Sequence, residues 1–143
     1  ERLPSHVGRI GGVQEVHLES PNCLKEPGVP IHELMHALGF WHEQNRHDRD
    51  LFVNVIKENI KPERHQTSKE HLQEATTFGE EYDYLSVMHY QGYGFSRNES
   101  LPTLEAKGSI TGPMGNRNGF SAADVRKINA MYNCNSRRNE NNL

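Results

Sequence analysis

Apolar residues along this chain fall in short, separated sets rather than in one long run. In Val13-Gln14-Glu15-Val16-His17-Leu18, positions 14, 16 and 18 share one side at the period of a strand, and Gly8, Gly11 and Gly12 lie just ahead. A hairpin-like pair of short strands is therefore expected over residues 7–18. Residues 20–28, with Pro21, Cys23 and Pro27, read as a loop, and Pro30 suits the first turn of a helix running from Ile31 to about Leu38. At about 100° per residue, Leu34, Met35 and Leu38 lie within about 60° of Ile31 and make an inward apolar stripe. His32 and His36 fall near about 100° and 140°, on one adjoining face, and Glu33 near about 200°. Phe52-Val53-Asn54-Val55-Ile56 fits a strand or the lead into a helix, and residues 68–75 are polar with weak helical periodicity. The Gly, Pro, Ser and Asn of residues 92–119 predict a long irregular loop of the kind that lines functional sites. A last helix of about 11 or 12 residues is expected from Ser121, its N-cap, with Asp124 three residues on and Val125, Ile128, Met131 and Tyr132 as an apolar stripe.

The 143 residues are 34% hydrophobic with a mean hydropathy of −0.85, a slim apolar supply for one domain. A net charge of −3 is too small to drive disorder by self-repulsion, so a loop-rich globular piece is expected. No stretch approaches the roughly 18 apolar residues of a membrane span, and the balanced charge provides no basic face for nucleic acid. The chain opens on Glu1 without an initiator Met, a basic leader or an apolar leader, and residues 135–143 are polar and expected to form a disordered tail. There are nine His beside two Cys, Cys23 and Cys134, and so many imidazoles on so small a core suggest a metal centre.

His32-Glu33-Leu34-Met35-His36 has the H-E-x-x-H spacing, which puts two imidazoles one helical turn apart on one face. One ion can take both nitrogens at about 2.0–2.1 Å, but two ligands do not hold zinc. Gly39 lets the chain leave the helix through a left-handed residue and point His42 back at the same ion. Three neutral ligands, His32, His36 and His42, leave a position for water, the arrangement of a catalytic zinc site with Glu33 beside it. His6, His17, His47, His65 and His71 are read as ordinary solvated or hydrogen-bonded side chains.

With His42-Glu43-Gln44-Asn45-Arg46, Asp48-Arg49-Asp50, Ser86-Val87-Met88-His89-Tyr90 and Tyr132-Asn133-Cys134 added, the chain resembles the astacin family of zinc endopeptidases, a branch of the metzincins. The resemblance runs over nearly the whole chain. It implies an α+β, zincin-like fold with the active-site helix and a loop-rich C-terminal subdomain present, and with much of the N-terminal sheet missing. Residues 1–134 would be the incomplete catalytic domain, 1–42 closing its N-terminal subdomain and 43–134 forming the C-terminal one. The resemblance makes Glu33 the general base, Met88 the floor beneath the metal, Tyr90 a switchable fifth ligand, and Glu43 the partner of an amino terminus freed by processing. It places Ser5, His6 and Val7 on a substrate-binding strand edge, and Arg117 near the primed-side pocket of relatives that favour acidic residues after the cut. The family pairs its cysteines in two bridges, and the expected partners of Cys23 and Cys134 fall at Leu3 and ahead of this chain, so the two are expected not to bond each other.

A protein or peptide substrate, one catalytic Zn2+ and a secreted setting follow from the same resemblance. Asn98-Glu99-Ser100, an N-glycosylation pattern, agrees with secretion. The competing reading is a zinc-binding but non-catalytic module on the same fold.

Overall fold

The computed structural model describes residues 6–18, 20–21, 24–68 and 76–134. Within them the elements run in the order helix α1 (Gly28–Leu38), strand β1 (Val53–Val55), strand β2 (Leu104–Ala106) and helix α2 (Ala122–Met131), joined by short 3-10 turns and irregular chain. β1 and β2 pair antiparallel, Val53 opposite Ala106 and Val55 opposite Leu104. Among the described residues no helix is long and apolar enough to cross a membrane. Among the described residues Cys134 is free, and it is exposed, whereas Cys23, Ser5, His71 and the tail lie outside them.

α1 begins three residues before the expected start, so that Pro30 sits in its first turn. It ends at Gly39, whose φ of 108° no side-chain-bearing residue adopts readily. The Gly39 N–H reaches the His36 carbonyl (2.9 Å) and the Phe40 N–H reaches that of Met35 (3.1 Å), which satisfies the last helical acceptors and reverses the chain. Phe40 then packs in one core with Met35, Val87 and Met88, flanked by Ile31, Leu38, Phe78 and Ile128. A second core of Val53, Tyr82, Leu104 and Met114 covers the small sheet and takes in Tyr84 and Tyr90. Residues 86–90 pass between the two cores.

Several expectations change. Residues 7–18 form no strand, although the alternation is real: positions 14, 16 and 18 are half-buried while 13, 15 and 17 are exposed. The Gln14 side chain takes the place of a pairing strand, accepting from the Ile10 N–H (3.3 Å) and donating to the carbonyls of His6 and Gly8 (3.0 Å each). On α1, Leu34 is 53% exposed rather than inward. The buried arc there contains Met35, His32 and His36, centred about 100° from Ile31, so Leu34 stands opposite it. Residues 92–119 are irregular apart from β2 and a bridge from Ser96 to Ile60.

α2 has the expected cap, with Ser121 Oγ accepting from the Asp124 N–H (3.0 Å) and Asp124 Oδ2 from the Ser121 N–H (3.0 Å). Its expected apolar stripe does not face inward. Val125, Met131 and Tyr132 are exposed, Ile128 is half-buried, and the buried residues are Asp124 and Lys127. The reason is that the inner face of α2 meets polar partners. Asp124 accepts from Ser86 Oγ (2.6 Å) and the Val87 N–H (2.9 Å), and Lys127 Nζ lies 2.7 Å from Glu43 Oε2.

Asp124→Ala removes the acceptor of three donors, two of them backbone N–H groups, and is expected to cost about 3 kcal/mol or more in urea denaturation. Val125→Ala on the exposed face is expected to cost less than about 1 kcal/mol. A Cβ on Gly28 would lie 2.4 Å from the Arg117 backbone. Gly28→Ala must push the two segments apart, and a loss of about 1–3 kcal/mol is expected in the same titration.

Candidate metal centre

His32 and His36 stand one turn apart on the buried side of α1, and the reversal at Gly39 brings His42 to meet them. His42 Nε2 lies 3.2 Å from His32 Nε2 and 3.1 Å from His36 Nε2, and the ligand atoms of all three residues lie within 4.8 Å of one another. Tetrahedral zinc with bonds of about 2.0–2.1 Å would separate its nitrogens by about 3.3–3.4 Å, so the three converge at close to the required spacing.

The tautomers suit a cation. His32 Nδ1 is 2.7 Å from the Val87 carbonyl and His36 Nδ1 is 2.8 Å from that of Phe40. A carbonyl only accepts, so each Nδ1 carries the proton and each neutral ring turns an Nε2 lone pair toward His42. Burial, with a smaller contribution from nearby His36, pushes the His32 imidazole down to about 4, and burial also lowers His36. Both are therefore neutral, as ligands must be, at physiological pH. Glu33 is the next residue along α1. Burial raises its carboxyl, against the pull of Arg117, and its Oε2 is buried with no hydrogen-bond partner among the described residues. A donor set of three converging imidazoles, with His32 and His36 neutral, fits Zn2+.

The floor of the site is the 86–90 segment. Met88 is 2% exposed and its carbonyl accepts from the Glu43 N–H (3.1 Å). The Tyr90 ring centroid lies 4.4 Å from that of His42 and 5.2 Å from that of Phe95, so the phenol flanks the third imidazole. Phe95 holds a positive φ of 57°, a sparsely populated backbone state for a bulky residue.

Not all the predicted residues gather here in the expected way. The Gly8 N–H donates to the His36 carbonyl (2.8 Å), which fixes the segment holding His6 and Val7 at the end of α1, but as irregular chain rather than as a strand edge. Arg117 is half-buried. Its Nη1 donates to the carbonyls of Val87 (3.0 Å) and Asn116 (2.9 Å), and its own carbonyl accepts from the Gly28 N–H (2.7 Å) at the start of α1. Glu43, for which the resemblance implies a processed amino terminus, is held by Lys127 (2.7 Å), Arg46 (3.0 Å) and the Asp83 N–H (3.1 Å). The contacts of Lys127, Arg46, Gln44 and Asp124 escape the sequence reading. Gln44 and Arg46 lie in a stretch that carries the resemblance and Asp124 in the helix cap, but neither signal points to the partners these side chains take.

The family model described as Astacin, a peptidase family, matches residues 3–133. Zinc metalloproteinase nas-4 of Caenorhabditis elegans is 46% identical over 91% of this chain and 41% of its own length. Embryonic protein UVS.2 of Xenopus laevis is 44% identical over 92% of this chain and 25% of its own. In structure the chain is similar to high choriolytic enzyme 1, a hatching enzyme zinc-protease from Oryzias latipes, with a TM-score of 0.85 and 38% identity, covering 92% of this chain and 64% of that one. The chain thus spans only part of the relatives it matches, and over that span it belongs to the astacin family of zinc peptidases.

Proposed function

We propose that this chain carries the catalytic zinc centre of a secreted endopeptidase. The observation that carries the reading is the convergence of three imidazole ligand atoms, two of them from the helix that also carries the buried, unpartnered Glu33 oxygen. His32, His36 and His42 would hold the ion. Bound there, Zn2+ supplies Lewis acidity toward a peptide carbonyl and lowers the pKa of a water toward neutrality.

The chain's own residues supply the remaining chemistry. Glu33 Oε2 accepts the proton of the attacking water, and the same carboxyl returns it to the leaving amine. A carboxyl raised by burial suits both halves of that exchange, since it holds a proton more readily than an exposed one. The Tyr90 hydroxyl, on the ring beside His42, donates to the oxygen that gains charge at the scissile carbon. Met88 packs beneath the ligands as an apolar floor, and the segment with His6 and Val7 offers backbone to an extended substrate.

Specificity on the primed side falls to Arg117. Its half-buried guanidinium makes no ion pair among the described residues, and burial lowers its pKa, so a substrate carboxylate is a favourable partner. Export from the cell agrees with Asn98, exposed in a turn where its Oδ1 accepts from the Ser100 N–H (3.0 Å), a position open to glycan attachment.

Glu33→Gln is expected to keep one zinc per chain by atomic emission and to lose about 10²–10⁴-fold in kcat on a fluorogenic peptide. A zinc-loaded variant that keeps its turnover overturns the base assignment. Wild-type chain that binds zinc but cleaves nothing, with and without chelator, supports the non-catalytic module instead. For Arg117, peptides with Asp after the cut are expected to be favoured over Asn by about tenfold in kcat/KM, or about 1.4 kcal/mol. Arg117→Met should abolish that preference.

A further inference from the structure

Tyr90 is gripped by its backbone from both sides. Its N–H donates to Gln44 Oε1 (3.0 Å), and its carbonyl accepts from His89 Nδ1 (2.6 Å). That bond gives His89 Nδ1 the proton and leaves Nε2 to accept from the Tyr82 hydroxyl (2.8 Å). Gln44 is 1% exposed and follows the ligand His42 by two residues, in the 3-10 turn Glu43–Asn45. The Glu43 N–H in the same turn donates to the Met88 carbonyl (3.1 Å), so the arm carrying the third ligand is laced to the 88–90 segment at two successive residues. Gln44 Nε2, in contrast, has no partner among the described residues. The side chain is buried for what its oxygen accepts.

We propose that Gln44 is a positioning residue for Tyr90, tying the switch tyrosine to the arm that carries His42. With N–H and carbonyl both held, the Tyr90 main chain stays in place and rotation about the side-chain bonds is the freedom left to its ring, which packs against those of His42 and Phe95. The inference rests on the Tyr90 role proposed above, and its test separates the two. Gln44→Met removes the acceptor at similar volume. Gln44→Glu keeps it and loses no hydrogen bond, because the amide nitrogen makes none.

The experiment takes the zinc-loaded full chain and reads amide hydrogen exchange at Tyr90 by NMR, together with kcat in the Gln44→Met, Gln44→Glu, Tyr90→Phe and Gln44→Met/Tyr90→Phe variants. In Gln44→Met the Tyr90 amide is expected to exchange about tenfold faster or more, while the Met35 amide inside α1 keeps its protection and zinc stays at one per chain. Gln44→Glu is expected to restore slow exchange. kcat is expected to fall about tenfold in Gln44→Met and no further when that change is added to Tyr90→Phe. Unchanged exchange at Tyr90, or a kcat loss that adds in full to that of Tyr90→Phe, overturns the proposal. If Tyr90→Phe alone leaves kcat intact, the oxyanion role falls, and the exchange rate by itself decides whether Gln44 holds Tyr90.

Discussion

Three imidazoles brought to one point can share a cation only if each ring is held neutral with a ring nitrogen turned inward. With His42 Nε2 at 3.1 and 3.2 Å from its two neighbours, the rest of the chain has to hold the imidazoles in place and in the right tautomer. The carbonyls of Val87 and Phe40 set the tautomers. Neither carbonyl is free to wander. Phe40 is fixed by the helix-ending turn at Gly39, and Val87 by the Asp124 carboxylate that accepts its N–H. A ligand on α1 is thus oriented by a residue on α2 through one segment of the site floor.

This accounts for the thin apolar content. Among the described residues, buried polar and charged side chains outnumber buried apolar ones, and most of them stand behind the metal ligands or the floor. Glu43 is the centre of one such group, with Arg46 and Lys127 on its oxygens and Asp48 on the far side of Arg46. Buried ion pairs seldom add net stability over apolar packing, yet losing one partner costs about 3–5 kcal/mol because the other charge is left in the interior. The pair of Glu43 and Lys127 joins the arm after His42 to α2, so its geometry rather than its net energy is what the site uses. Burial also acts at Glu33, whose carboxyl it raises and whose Oε2 it leaves without a partner among the described residues.

The metal site was legible because its information is local. His32 and His36 are four residues apart on one helix, and Gly39 shows where the chain must turn to return His42. The alternation over residues 13–18 was legible too, and the sides of the chain were right although the partner strand was not, since Gln14 satisfies the backbone itself. What escaped is what depends on distant pairing. Lys127 meets Glu43 across 84 positions, Gln44 meets Tyr90 across 46, and Asp124 meets Ser86 across 38. No periodicity signals such contacts. The stripe on α2 failed for the same reason, because an apolar face predicts burial only where the helix packs on an apolar surface: Ile128 does so on the core, while the buried Asp124 and Lys127 meet Ser86 and Glu43.

The Val87 carbonyl ties the loop carrying Arg117 to the histidine cluster. It accepts from His32 Nδ1 at 2.7 Å and from Arg117 Nη1 at 3.0 Å, one donor for each lone pair. Both donors orient the same group, but the shorter bond belongs to the ligand, and Val87 keeps its own N–H on Asp124 whatever Arg117 does. The 115–119 loop is in turn set by the Arg117 carbonyl, which accepts from the Gly28 N–H, and by the Asn116 side chain, whose Nδ2 donates to the Gly119 carbonyl (2.7 Å). Neither of these two bonds involves the Arg117 guanidinium, so the loop keeps them if that group moves. Loss of the Arg117 side chain would leave the His32 tautomer supported by the Val87 carbonyl, with the Val87 N–H still on Asp124.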